Sequence, residues 1–314
     1  MDNLIFCLNG TMPIFMLMIL GYVFNKINIV DDVLSEKMNK FVFKVALPVL
    51  LFKDIADADF TSSWDVKYVL FGIVVTTLSI LIMVGASFLL KDKSIRGEFV
   101  QAGYRSSQAL LGAAYLQNLY GDVTAVPLML IGSVPLYNMA AVIVLSVMKP
   151  KSGGLDKSLF KKTIKGIITN PLIIGLFVGT IWSCFKLPQP EIFKKTVSSI
   201  SSVATPLGLI ALGASLDIEK AFGKLKPAIA CTIFKLFIFV GLFLPIAVYL
   251  GYRNDKLVAL LIMMGAATTV SSFVMAKNMG HEGTLSSSTV MMTTFFSSFS
   301  ITMWLYLLKW FSLI

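Results

Sequence analysis

The sequence predicts an all-α polytopic membrane protein with ten transmembrane helices in two inverted five-helix repeats. Three observations predict it: an apolar composition, ten apolar runs of spanning length, and Pro and Gly landmarks that recur at one offset. Of 314 residues 56% are hydrophobic and 14% charged, with a mean hydropathy of +0.82, whereas soluble domains carry about 25% charged residues. That balance excludes a soluble fold. The formal charge of +10 does not point to nucleic acid, because the Lys and Arg residues stand in short segments between apolar runs rather than along one face.

Crossing a hydrocarbon core takes about 20 mostly apolar residues. The first such run, 4–25, follows Asp2 without a Lys or Arg and is too long for a signal h-region, so it stays as a span. The next four are 39–56 with Lys44 and Pro48, 67–90, 99–120 with Arg105, and 123–148. A basic linker, 149–163, carries Gly153 and Gly154 and separates a first repeat (1–148) from a second (164–314). The second repeat holds runs at 165–185, 194–216 with Pro206, 227–250 with Lys235, 257–279 and 285–309. With the N-terminus outside, cytoplasmic loops hold 16 of the 27 Lys and Arg residues, external segments hold 8, and three lie inside spans. The positive-inside rule therefore predicts a multi-pass plasma-membrane protein with both termini extracellular and the linker cytoplasmic.

Shifting the chain by 158 residues pairs Pro13 with Pro171, Gly21 with Gly179, Val45 and Ala46 with Val203 and Ala204, Pro48 with Pro206, and Asp59 with Asp217. Chance gives roughly 0.2 coincident Pro pairs at one offset, so two with matching neighbours point to homologous halves. Because five spans is an odd number, the second copy enters the membrane from the other side, an arrangement suited to alternating access. Pro48 and Pro206 fall in span interiors, where each removes a backbone donor and kinks its helix, so they are candidate hinges.

Enzyme classes find no support: the spans contain no nucleophile with a base, no paired carboxylates and no Walker sequence. Cys7, Cys184 and Cys231 stand alone in separate runs beside a lone His281, so neither disulfide, metal nor cofactor is expected.

The run ATPLGLIALGASLD, Ala204 to Asp217, resembles the seventh-span signature of the auxin efflux carrier family. Asn170-Pro171-Leu172-Ile173-Ile174-Gly175 resembles its sixth-span opening, Ala46-Leu47-Pro48-Val49-Leu50-Leu51-Phe52 its second span, and Ser272-Phe273-Val274-Met275-Ala276 part of its ninth. The likeness covers nearly the whole chain. It implies ten spans, a scaffold part and a transport part, and fourth and ninth spans that unwind and cross near the midplane. Plant members export auxin and bacterial relatives are described as malate or malonate permeases. The resemblance therefore implies a secondary transporter of a small organic anion, either a dicarboxylate or an auxin-like monocarboxylate, coupled to a proton or sodium ion, embedded in membrane lipids and permitted to form a homodimer. One departure stands out: Tyr104 to Gly121 and Met263 to Gly280 lack the Pro common at the family's crossings. Gly103, Gly112 and Gly265 take its place as hinge candidates, since Gly weakens a helix by about 1 kcal/mol. A sensor or receptor on the carrier scaffold, or a channel, is the competing reading.

Unwound half-helices favour anions at their N-termini. The polar clusters of spans four and nine are accordingly the candidate substrate site: Arg105, Ser106, Ser107 and Gln108 with Thr268, Thr269, Ser271 and Ser272. Three basic residues, Lys44, Arg105 and Lys235, lie inside spans with no Asp or Glu deep in any of them, which favours an anion over a cation. Lys44, one turn before Pro48, either faces the cavity or snorkels. Arg105 either serves the site or binds Glu98 or lipid headgroups. Lys235 belongs to the scaffold and reads as structural.

Overall fold

The structure, a computed structural model, describes residues 2–56, 65–108, 116, 119–120, 125–149, 169–216 and 224–314. Among the described residues every regular element is helical. Among the described residues, five helices are long and apolar enough to cross a membrane: Val66–Ser87, Leu128–Val147, Glu191–Ala214, Leu225–Tyr249 and Thr284–Trp310. Met12–Lys26 and Pro171–Cys184 are shorter apolar helices. Gly112 and the linker beyond Lys149, with Gly153 and Gly154, lie outside the described residues.

Helix α1 runs over Asp2–Lys26. Helix α2 (Asp32–Phe41) begins at Asp31, whose carboxylate accepts the Leu34 N–H at 2.7 Å. A π-helical turn, Val42–Ala46, leads into α3 (Leu47–Ala56). Helix α4 (Val66–Ser87) is capped by Asp65, and α5 (Arg96–Tyr104) follows a 3-10 turn at Lys93–Ile95. Helix α6 spans Ala125–Val147. Helix α7 (Pro171–Cys184) starts with Asn170 accepting the Leu172 N–H at 2.9 Å and Pro171 in the first position, where its missing N–H costs nothing. Helices α8 (Glu191–Ser202) and α9 (Ala204–Ala214) meet at Val203. Helix α10 (Leu225–Ile233) passes through a second π turn, Phe234–Ile238, into α11 (Phe239–Tyr249). Helices α12 (Asn254–Gly265), α13 (Ser271–Asn278) and α14 (Thr284–Trp310) complete the chain.

Pro48 lies in the continuous helical stretch 32–56, two residues beyond the π turn Val42–Ala46, and Pro206 lies within the helical stretch Glu191–Ala214, three residues beyond the single turn residue Val203. The π turn before Pro48 and the break at Val203 before Pro206 absorb the absent backbone donor.

Helix α3 lies along α7 and α1 along α9, the two most extensive helix pairings among the described elements. Both depend on glycine. A Cβ on Gly179 would stand 2.9 Å from the Phe52 carbonyl oxygen, and one on Gly21 would overlap the carbonyl of Ile210. Such close backbone approach is the usual means of holding helices together in lipid, where no hydrophobic drive separates one apolar surface from another.

At the centre sit two short helices: Gly97–Tyr104 of α5 and Leu257–Gly265 of α12 are buried at every position. Helix α14 packs beside α5 through a row of buried hydroxyls that bond back to its own carbonyls, as Thr293 does to Thr289 O at 2.7 Å. Outward faces carry exposed Leu70, Val74, Leu78 and Leu81 on α4 and Ile229, Phe237 and Leu242 on α10, the π turn and α11, the surface that lipid would cover.

Candidate substrate site

Helix α5 stops at Tyr104, and Arg105, Ser106 and Ser107 follow without helical structure. Helix α12 stops at Gly265, and Ala266 to Thr269 are likewise non-helical before α13 begins. The stops lie directly after Gly103 and at Gly265, two of the residues expected to relax the backbone. A Cβ on Gly265 would come within 2.9 Å of Val240 on α11, so the close packing of α12 also requires glycine there.

The two breaks meet and tie each other. The Ser107 N–H donates to the Ala267 carbonyl at 2.8 Å. Thr268 Oγ1 donates to the Ala102 carbonyl at 2.8 Å, satisfying the last turn of α5, and Ser106 Oγ donates to the Met263 carbonyl, satisfying the last turn of α12. Gln101 Nε2 reaches the Ser272 carbonyl at 2.7 Å. Irregular backbone inside a membrane protein survives where it is surrounded by such partners or borders a wet cavity.

A cavity of about 560 Å³ adjoins the breaks, within the usual range for a small-molecule site. Of the residues expected at the site, Arg105, Ser106, Ser107, Gln108, Thr269 and Ser271 line it. Thr268 and Ser272 do not: they are buried behind the wall and serve backbone ties. Lys44 does not either. It lies on the exposed side of the π turn, while Val42, Phe43 and Ala46 turn inward, so the wider turn carries Lys44 away from the cavity. Pro206 contributes to the wall beside Ser201, Ser202 and Thr205.

Arg105 is the centre of the site. It is 1% exposed, and its guanidinium donates to Asn138 Oδ1 at 2.8 Å and Ser271 Oγ at 2.7 Å, touches the Met275 sulfur, and lies 5.1 Å from the centre of the Tyr137 ring. All of these partners are neutral, and Nε has no partner among the described residues. Glu98, a conceivable counter-ion in the sequence, is committed elsewhere: its two carboxylate oxygens accept the N–H groups of Gly283 and Ser286, each at 2.9 Å, and cap α14. Thus a buried cation faces a cavity with neutral hydrogen-bonding partners.

Sequence reasoning missed the contribution of α6. Tyr137 and Asn138 line the cavity, Ser133 hydrogen-bonds Gln108, and the Tyr104 hydroxyl donates to the Tyr137 carbonyl at 3.1 Å. One signal was available: Asn138 is a lone amide in an apolar span, one turn beyond Pro135. Lys53 and Asp54, near the end of α3, also line the cavity, and Lys53 Nζ bonds Ser198 Oγ at 3.3 Å. Lys235, assigned from the sequence to the scaffold, is buried with its ammonium against the Tyr104 carbonyl and Ser106 Oγ.

A family model described as membrane transport protein matches residues 7–305. The chain is also similar to a protein of Rhizobium meliloti (strain 1021) that bears the name "Putative malonate transporter", at 22% identity over 307 residues, 95% of this chain and 94% of that protein.

Proposed function

This chain belongs to the membrane transport protein family, that of the auxin efflux carriers, and from that premise we propose that it is a secondary transporter of a small organic anion, most suitably a short dicarboxylate, working by alternating access. It is a multi-pass membrane transporter and not an enzyme. The observation that carries the substrate class is Arg105, a buried guanidinium on the cavity wall whose partners among the described residues are all neutral. A charge in that state costs several kcal/mol of lost hydration, and an incoming carboxylate offsets the cost with paired, charge-assisted hydrogen bonds. Lys53 supplies a second cation to the same cavity, beside the carboxylate of Asp54. The name of the Rhizobium protein agrees with a three-carbon dicarboxylate. The N-terminal end of α13 borders the cavity through Ser271 and the preceding Thr269 and Val270, and adds the positive end of a helix dipole.

The two-repeat reading, ten spans with both termini outside a plasma membrane, rests on the sequence offset and gains support from packing. Gly21 against Ile210 and Gly179 against Phe52 are images of one another under the 158-residue shift. In this reading α1 and α9, like α7 and α3, join one half to the other, and the breaks after α5 and α12 form the pivot.

The test is uptake of labelled malonate and malate by the purified protein in liposomes. Saturable uptake, accelerated by unlabelled substrate inside, is the expected result. No flux, with a substrate-induced thermal shift intact, would replace the carrier with a sensor built on its scaffold; unsaturable flux without exchange would replace it with a channel.

A further inference from the structure

We propose that the Lys235 ammonium is the resident cation of the helix breaks, occupying the place where a coupling cation would neutralise two half-helix C-termini, so that transport by this chain needs no sodium. The inference rests on the transporter reading above and concerns how that site is balanced.

Lys235 leaves the π turn at Phe234–Ile238, and turns of this kind re-aim a side chain within a helix. It is 1% exposed and makes no ion pair among the described residues. Its ammonium donates to the Tyr104 carbonyl, the last residue of α5, at 3.3 Å and to Ser106 Oγ. That same hydroxyl passes its own proton to the Met263 carbonyl in the last turn of α12. One ammonium is thereby tied, directly and through one serine, to the C-terminal ends of both broken helices. Each end carries about half a negative charge, so two ends balance roughly one cation, and Lys235 is that cation.

In transporters with discontinuous helices, the C-terminal half-helix ends and unwound carbonyls are the usual ligands of sodium or a proton. Here the Tyr104 carbonyl and Ser106 Oγ already accept from a covalently held ammonium, and the Met263 carbonyl from Ser106. The space beside it is a cavity of about 20 Å³ bordered by Thr76, Ser79 and Ser106, which holds roughly one water, and a bare cation placed there would meet the repulsion of the adjacent ammonium. Arg105 then remains available to substrate because the helix ends draw their charge from Lys235 instead. The division of labour is spatial: Lys235 serves the C-terminal ends behind the breaks, and Arg105 faces the large cavity in front of them.

The experiment uses the full-length protein with Lys235→Ala and Lys235→Arg. In detergent, Lys235→Ala is expected to unfold at a lower temperature than wild type and to regain at least half of the loss in 200 mM methylammonium or sodium chloride relative to choline chloride, while wild type and Lys235→Arg do not respond. A purely packing role for Lys235 would produce the loss without the cation-specific recovery. In liposomes, wild-type malonate uptake should agree within twofold between sodium and choline media, whereas Lys235→Ala should fall at least tenfold in choline and rise at least threefold with sodium. A wild type that loses more than fivefold of its uptake without sodium overturns the proposal, as does Lys235→Ala whose unfolding temperature neither methylammonium nor sodium raises. If Lys235→Ala does not yield folded protein, Lys235→Gln takes its place in both arms. The unfolding arm needs no transported substrate, so absence of malonate flux in wild type would count against the transport reading alone.

Discussion

After α5 the chain continues as Arg105, Ser106, Ser107 and Gln108; after α12 it continues as Ala266, Ala267, Thr268 and Thr269. The backbone does nearly the same thing at both places, with extended residues Arg105 (ψ 139°) and Ala266 (ψ 158°) closing their helices. The side chains do not. The first break carries a guanidinium and an amide, while the second offers methyl groups and hydroxyls. The helices packed behind them differ in the same way, since α4 presents Thr76 and Ser79 where the turn between α10 and α11 presents Lys235. The comparison teaches that two breaks with the same backbone course differ in charge, and that the first of them carries the cation that the proposed anion would meet.

The sharpest way to break this comparison is to remove charge from the first break. Arg105→Gln keeps a hydrogen-bonding amide near Asn138 and Ser271 but removes the cation, and is expected to lower malonate uptake about 100-fold, close to 2.8 kcal/mol. Charge-assisted bonds of about 1.5–3 kcal/mol justify that size. Uptake within threefold of wild type would move the anion's anchor elsewhere in the cavity.

A second test addresses the repeated backbone itself. Gly21→Val and Gly179→Val each press a branched side chain into a facing carbonyl, and each should destabilise the protein by about 1–3 kcal/mol, read as a lower unfolding temperature in detergent. If the halves are images, the two losses will be similar. A loss confined to one variant would mean that only one of the two pairings bears on stability.

Much of this was legible from the sequence for a simple reason: lipid and Pro leave strong marks on composition. The apolar runs, the shared offset and the polar clusters of spans four and nine are one-dimensional signals, and Arg105, Gln108 and Thr269 lie on the cavity wall where those clusters point. What was not legible depends on direction. Lys44 and Lys235 are both lysines inside apolar runs, both in π turns, yet one is exposed and the other buried. The side a π turn presents is set by neighbours far away in sequence, and the nearest partners of Lys235 are 129 and 131 residues distant. Asn138 escaped for the same reason, because a single amide on α6 says nothing about which face meets Arg105.

Within the site, the asymmetry predicts a graded response. Gln108→Ala removes a group tied to Ser133 on α6 and should lower uptake about fivefold, near 1 kcal/mol. Thr269→Ala removes a hydroxyl that among the described residues meets Ser271 Oγ, 3.2 Å away, and should cost about twofold. Both should leave the unfolding temperature close to that of wild type. A larger loss for Thr269→Ala than for Gln108→Ala would shift the weight of recognition to the second break.

The smallest expected effect concerns the two ends of α4, where an acid from the first half meets a lysine from the second. Asp65 pairs with Lys256 at 2.6 Å, and Asp92 pairs with Lys224. Hydrogen bonds from Lys224 and then Ser94 hold the Asp92 carboxyl at about 2, below its ordinary 3.8. A carboxylate whose folded value is depressed stabilises the fold above its unfolded value and loses that contribution as pH falls through the folded one. The stabilisation is therefore complete above about pH 5, mostly lost by about pH 2 and gone near pH 1. Because Asp92 is 41% exposed, solvent screening reduces the contribution to about 0.5 kcal/mol. Lys224→Met should unfold slightly below wild type at pH 7, the gap should narrow between pH 4 and pH 2, and 1 M salt should shrink it at any pH because the pair is open to screening. A gap that persists unchanged at pH 2 would show that Lys224 stabilises this end of α4 by packing its stem rather than by pairing with Asp92.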